Sequence, residues 1–201
     1  MCGRFFLNHQ LEKVITSFNV LNVDLKEDYV GKEIFPSNIA AVIKNDNKIH
    51  YLKWGFSIKS SNSLIINARS ESIEEKYLFK KALSNRCVIP ASGFYDWKED
   101  KSNKIKYRIS MKDDEVFSMA GLYDIFIDEK GEAYEAFVII TTEANEEMSK
   151  IHHRMPVMFK LGEEKAWLSG DENLQEILKS YKNDSLKIIE DSGYEQVSLL
   201  F

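Results

Sequence analysis

Leu11, Val14, Ile15 and Phe18 recur at i, i+3, i+4 and i+7. That spacing puts apolar side chains on one helical face and predicts a helix over 9–19, with Asn8 as its N-cap. The period then shortens. Ile39–Ile43 and Lys48–Trp54 read as strands joined by the polar turn Asn45–Asn47. Helical spacing returns at Tyr77, Leu78, Lys81 and Ala82, within a predicted helix over 72–84. Between Arg86 and Thr142, short runs predict strands at Arg86–Ile89, Phe94–Lys98, Ile105–Met111, Val116–Met119, Leu122–Ile127 and Tyr134–Thr141. Turns with Asp, Asn and Gly separate most of them. Helices over 143–150, 163–168 and 171–181 and strands over 186–190 and 195–200 complete the pattern. The expected fold is α+β: a single domain over residues 1–201, built on a mostly antiparallel, barrel-like sheet with peripheral helices. Nothing alternates βαβ, which disfavours a Rossmann-type sheet, and no repeat or linker divides the chain.

Composition narrows the class. Of 201 residues, 44% are apolar and 29% charged, the balance of a globular protein with a core rather than of a disordered one. No apolar run approaches the roughly 18 residues that cross a bilayer, and the start lacks the pattern of a signal peptide. The expected location is therefore the cytoplasm, without membrane contact. Cys2 and Cys87 form no C-x-x-C pair, so neither a metal site nor a disulfide framework is expected, and no cofactor is indicated. A net charge of −5 speaks against nucleic acid. Yet only five of the 27 basic residues are Arg: Arg4, Arg69, Arg86, Arg108 and Arg154. The planar, bidentate guanidinium suits phosphate better than a mobile ammonium, and four of these five fall in the segments that carry candidate chemistry.

The first such segment is Met1-Cys2-Gly3-Arg4. Removal of Met1, which a small second residue permits, would leave an α-amine and a thiol on adjacent carbons of Cys2. With a pKa of about 7.7–8.0, roughly a tenth of that amine is neutral at pH 7. It can condense with an aldehyde, and the sulfur can then close a five-membered thiazolidine. A small apolar Cys at a frayed terminus is the plainer reading of position 2 alone. In Ile65-Ile66-Asn67-Ala68-Arg69-Ser70-Glu71, Asn67 can bond a chain terminus and Arg69 a phosphate, or the run is an ordinary cap. In Arg86-Cys87 through Gly93-Phe94-Tyr95-Asp96-Trp97, Asp96 stands among aromatics as a partly desolvated carboxylate suited to acid/base work. It can equally be an outward Asp on an amphipathic strand, while Cys87 reads as a buried core residue. In Ile151-His152-His153-Arg154-Met155-Pro156, His152 can shuttle protons and Arg154 can hold phosphate, unless the run is simply a solvated loop.

Taken together, Met1-Cys2-Gly3-Arg4-Phe5, Trp54-Gly55, Asn67 to Glu71, Arg86 to Trp97 and His152 to Pro156 resemble, in order and spacing, the motifs of the SRAP (SOS response-associated peptidase) family. The resemblance spans nearly the whole chain. It implies a protein that captures abasic sites in single-stranded DNA through a thiazolidine at Cys2, with loss of its own Met1 as the peptidase activity. By motif, Cys2 is the nucleophile, Asn67 orients it, Asp96 assists proton transfer, and His152 meets the opened sugar. Arg4, Arg69, Arg86 and Arg154 would bind phosphates, with Trp54 and Phe56 as base-stacking surfaces. The implied partner is single-stranded DNA, bound by a monomer that is nucleoid-associated while on DNA. Two positions depart from the family pattern: Asp96 replaces its usual Glu, and His153 replaces its usual Asp. Rival readings are an N-terminal-nucleophile glutaminase, whose Cys2 sulfur would attack an amide, and a module that binds single-stranded DNA without a covalent bond.

Overall fold

In a computed structural model, the residues described are 2–8, 11–21, 33–58, 63–100, 103–170 and 173–191. The elements run β1 (Arg4–Phe6), α1 (Leu11–Phe18), β2 (Glu33–Ile34), β3 (Ile39–Lys44), β4 (Ile49–Trp54), β5 (Phe56–Ser57), β6 (Leu64–Ile65), β7 (Asn67–Arg69) and α2 (Tyr77–Ala82). They continue as β8 (Arg86–Ala91), β9 (Gly93–Asp100), β10 (Asn103–Met111), β11 (Phe117–Ile127), β12 (Ala133–Glu143), β13 (Arg154–Pro156), β14 (Met158–Phe159), α3 (Glu164–Ser169), α4 (Leu174–Ile177) and β15 (Leu186–Glu190).

Strand pairing forms a ring: β12 to β4, β3, β8 and β11, and from β11 back to β12. Closure of this kind leaves these five strands with few open edges. Four of the pairings are antiparallel and one, β12 with β4, is parallel. A second sheet is ordered β15-β10-β9-β1-β2. The mostly antiparallel, barrel-like α+β architecture expected from the sequence is the one observed.

The wall strands bury both faces. Along β8, Cys87 and Ile89 join a core with Phe5, Phe94 and Ile109 of the second sheet, whereas Val88 joins a second core with Val14, Phe18 and Trp167 of the helices. Along β12, Phe137 and Ile139 face the first core and Val138 and Ile140 the second. This is why both strands read as unbroken apolar runs. Ser92 marks the passage from barrel to second sheet: its N–H donates to the Phe6 carbonyl, and its Oγ accepts from the Asn8 N–H, both at 2.9 Å.

Several boundaries differ from the sequence expectation. Val116–Met119 and Leu122–Ile127 are not two strands, because β11 runs unbroken through Ala120 and Gly121. The expected helix 143–150 shrinks to a 3₁₀ turn, Met148–Lys150. There Asn145 accepts from the Met148 N–H at 2.9 Å and donates to the Tyr181 carbonyl at 3.0 Å, an Asn-led turn that competes with a helix. The 72–84 helix is confined to Tyr77–Ala82 after a 3₁₀ turn at Ser70–Ser72, and the 171–181 helix to Leu174–Ile177. Residues 9 and 10, on which the Asn8 cap depends, and the strand expected over 195–200 lie outside the described residues.

Gly121 sits where the wall is thinnest. A Cβ built there would lie 2.5 Å from Ile89 Cδ1, 2.9 Å from the Val138 carbonyl and 3.1 Å from Cys87 Sγ. Gly121→Ala is expected to destabilise the fold by about 1–3 kcal/mol through overpacking, read as a lower midpoint in urea unfolding. An unchanged midpoint would show the wall to be pliable.

Candidate active site

The site begins with the way the chain start is held. β1 pairs with β9 so that Arg4 lies opposite Tyr95 and Phe5 opposite Phe94, which brings Cys2 toward the segment carrying Asp96. Cys2 is fully buried, with its Sγ 3.8 Å from the Arg4 carbonyl. Asn67 opens β7, which lies parallel to β12 with Asn67 opposite Ile139. From there its Nδ2 donates to the Cys2 carbonyl at 3.0 Å. The Asn67 Oδ1 is enclosed and accepts no hydrogen bond among the described residues.

Asp96 is 2% exposed, and its Oδ1 accepts from the Trp97 N–H at 2.9 Å. Burial pushes the Cys2 thiol far above its ordinary range, and the negative charge of Asp96 adds to that rise. A buried thiol next to a carboxylate resists becoming a thiolate. His152 follows the 3₁₀ turn and is anchored by its N–H to the Met148 carbonyl at 2.9 Å. Its Nδ1 accepts from the Arg154 N–H at 2.9 Å, which assigns the proton of the neutral ring to Nε2. Desolvation holds the His152 pKa below the usual imidazole value and His153 pulls the same way, while Asp96 opposes them. The two imidazoles stack with centroids 4.3 Å apart.

Asp96 and His152 line one cavity of about 870 Å³, together with Trp97, Lys98, Glu99, Lys104, Lys150 and His153, and Glu99 lies 3.5 Å from Lys104. The four residues singled out for chemistry are therefore brought together. Asn67 touches Cys2 directly, and Asp96 acts electrostatically on both Cys2 and His152. Among the described residues, no group of three or more His, Cys, Asp or Glu side chains is arranged to hold a metal ion, and no helix is long and apolar enough to cross a membrane.

The expected DNA contacts divide. Arg69 is exposed at the end of β7. Arg4 is half-buried, 2.9 Å from Glu33 and stacked 4.2 Å over the Phe35 ring and 5.2 Å from that of Trp97. Four others are engaged inside the protein in this structure. Trp54 and Phe56 are fully buried and offer no face for a base: Trp54 packs edge-on against Phe5 and donates Nε1–H to the Ile66 carbonyl, and Phe56 packs on Phe126. Arg86 spends its guanidinium on the Leu83 and Trp167 carbonyls and the Trp167 ring, as a brace for α3. Arg154 is 6% exposed and forks onto Glu71, so in this structure it is an internal tie rather than an open phosphate clamp. Lys98, Lys104 and Lys150 were missed. Lysine is abundant along the chain, and only strand register and the 3₁₀ turn reveal that these three share a cavity.

Residues 1–192 match the sequence profile of the SOS response associated peptidase (SRAP) family. The chain belongs to the SRAP family. A Bacillus subtilis relative named abasic site processing protein YoaM is 37% identical, the match covering 93% of this chain and 89% of that one. Abasic site processing protein YMR114C of Saccharomyces cerevisiae is 30% identical over 92% of this chain and 60% of its own length. A crystal structure of a Bacteroides thetaiotaomicron protein superposes with a TM-score of 0.83 at 27% identity, covering 94% of this chain and 91% of that one.

The His152 environment has a stability consequence in this SRAP protein. Its folded-state pKa lies below the unfolded value of about 6.5, so the unfolded chain binds a proton more readily. The His152 contribution is complete above about pH 6.5 and is lost as pH falls through the lower folded value. Urea midpoints measured from pH 7.5 to 5 should fall less steeply for His152→Gln than for the parent, and equal slopes would contradict this.

Proposed function

We propose that this protein captures abasic sites in single-stranded DNA covalently through Cys2, after loss of Met1. The observation that carries the reading is the Asn67–Cys2 hydrogen bond, which holds Cys2 near Asp96 and a cavity lined by three lysines. The names of the relatives, abasic site processing proteins, support the substrate class.

In this reading the ring-opened sugar presents an aldehyde at C1′. The Cys2 amine adds to that carbon and water leaves, giving an imine. Sγ then adds to the same carbon while the thiol proton ends on nitrogen, closing the thiazolidine with net loss of one water. Asn67, tied to the Cys2 carbonyl through Nδ2, has its enclosed Oδ1 as an acceptor for the freed amine. Asp96 takes and returns protons as the sugar ring opens and water departs. His152, neutral with its proton on Nε2, donates to the sugar hydroxyl. Lys98, Lys104 and Lys150, joined by Arg4 and Arg69, supply positive charge to the phosphates although the chain as a whole is acidic.

The same groups would serve removal of Met1 by the chain itself, the peptidase activity implied by the family's name. We read the protein as one domain that acts as a monomer in the cytoplasm and on the nucleoid, without cofactor or metal. The glutaminase alternative loses its ground with family membership. The non-covalent binding module is the reading still to be separated by experiment.

Incubation with an oligonucleotide bearing one abasic site should give a band that survives denaturing electrophoresis. Cys2→Ala should abolish that band and leave reversible DNA binding, whereas survival of the band would overturn the reading. Asp96→Ala should slow its formation by on the order of a hundredfold and Asp96→Glu should not. Equal rates for the three chains would remove Asp96 from the chemistry.

A further inference from the structure

Glu71 has no place in the chemistry above, yet its carboxylate is held chiefly by one partner. It lies in the 3₁₀ turn that follows β7 and takes Arg154 Nη1 and Nη2 at 2.7 and 2.9 Å, a two-pronged pair. Nη2 also donates to the Thr141 carbonyl of β12 at 2.6 Å. The Arg154 side chain is 7% exposed, and the pairing holds the Glu71 carboxyl below the ordinary range. One residue thus connects two features of the site. The side chain of Arg154 is tied to Glu71 and β12, and its backbone N–H donates to His152 Nδ1 at 2.9 Å.

We propose that Glu71 is a positioning residue for His152: by anchoring the Arg154 fork, it keeps the Arg154 N–H on His152 Nδ1 and the imidazole proton on Nε2. The physical reason is the cost of leaving a buried guanidinium unpaired. The Arg154 side chain is enclosed while that of Glu71 is 46% exposed. Loss of the Glu71 charge therefore leaves a buried guanidinium with Thr141 as its remaining acceptor among the described residues; the Arg154 side chain then shifts toward water and carries its backbone with it. The imidazole then loses the donor that selects its tautomer. Other charged or titrating groups act on the ring as well: Asp96 from β9, His153 beside it and the chain's amino terminus. The Arg154 N–H on Nδ1 favours the tautomer with its proton on Nε2. The ladder of β13 on β12, with Arg154 opposite Glu143, is the competing support; if it suffices alone, Glu71 is dispensable.

The inference rests on the reading of His152 as the group that handles protons at the abasic site, and the test separates the two. Nitrogen chemical shifts of the His152 ring would be recorded on the full chain without DNA, at a pH where the ring is neutral. The parent should show an unprotonated, hydrogen-bonded Nδ1 and a protonated Nε2. Glu71→Gln, which keeps the shape and removes the charge, should give a mixture of tautomers, and Glu71→Asp should preserve the parental state. Arg154→Lys, whose ammonium reaches Glu71 but cannot fork, should also give the mixture and serves if Glu71→Gln does not fold. Parental shifts in both Glu71→Gln and Arg154→Lys would overturn the proposal. With saturating DNA, crosslink formation by Glu71→Gln should be slower by about tenfold, a part of what acid/base assistance contributes. A mixed tautomer with an unchanged crosslink rate would uphold the positioning role and refute proton handling by His152.

Discussion

Chain ends fray unless something ties them down, and this site depends on how residues 2–6 are held. β1 lies between β2 and β9 rather than at a sheet edge, Phe5 packs edge-on against Trp54, and Asn67 holds the Cys2 carbonyl. These three restraints come from parts of the chain distant in sequence. They convert the most mobile position of a polypeptide into one as fixed as a core residue. A terminal aminothiol has reactivity that no internal residue matches, but it gains specificity only when its attack trajectory is set in advance.

The electrostatics follow from the same enclosure. Burial and Asp96 both oppose ionisation of the Cys2 thiol, so in the proposed capture the amine would react first and sulfur follow. His152 is pulled in opposite directions by desolvation and by Asp96, an arrangement common where a group must exchange protons near neutral pH. Elsewhere the acidic excess is partly cancelled in pairs: Glu33 is bonded to Arg4 and Lys106, and Glu71 to Arg154. The cavity lining sets Lys98, Lys104 and Lys150 against Asp96 and Glu99, a small local positive excess that a net charge summed over the chain conceals.

Much of the fold was legible because its determinants are local. The i, i+3, i+4, i+7 spacing marked α1, and alternating or apolar runs marked β3, β4, β9, β10 and β12. Cys2, Asn67, Asp96 and His152 stand out in the sequence because each falls in a motif whose residue types are unusual together. What was not legible depends on long-range context. Trp54 and Phe56 flank a glycine in a half-polar stretch, and only the closed barrel decides that both point inward. Arg86 and Arg154 carry the fork that suits phosphate, but the same fork suits carbonyls and carboxylates. Glu71 stands in the same motif as Arg69, and nothing in the sequence says that it pairs with a residue 83 positions away. The break expected between Val116–Met119 and Leu122–Ile127 falls at Ala120-Gly121, where close neighbours leave no room for a side chain on Gly121.

The central claim is that the reacting group is the amine and thiol of Cys2 at a new N-terminus. It is tested most directly by digesting the purified DNA adduct with trypsin and sequencing the modified peptide by mass spectrometry. The account predicts a peptide Cys2-Gly3-Arg4 that begins at Cys2 and carries the sugar remnant with loss of one water, with no mass gain on borohydride treatment because a closed thiazolidine has no imine to reduce. A remnant on an internal lysine, or on a peptide that still begins with Met1, would contradict it.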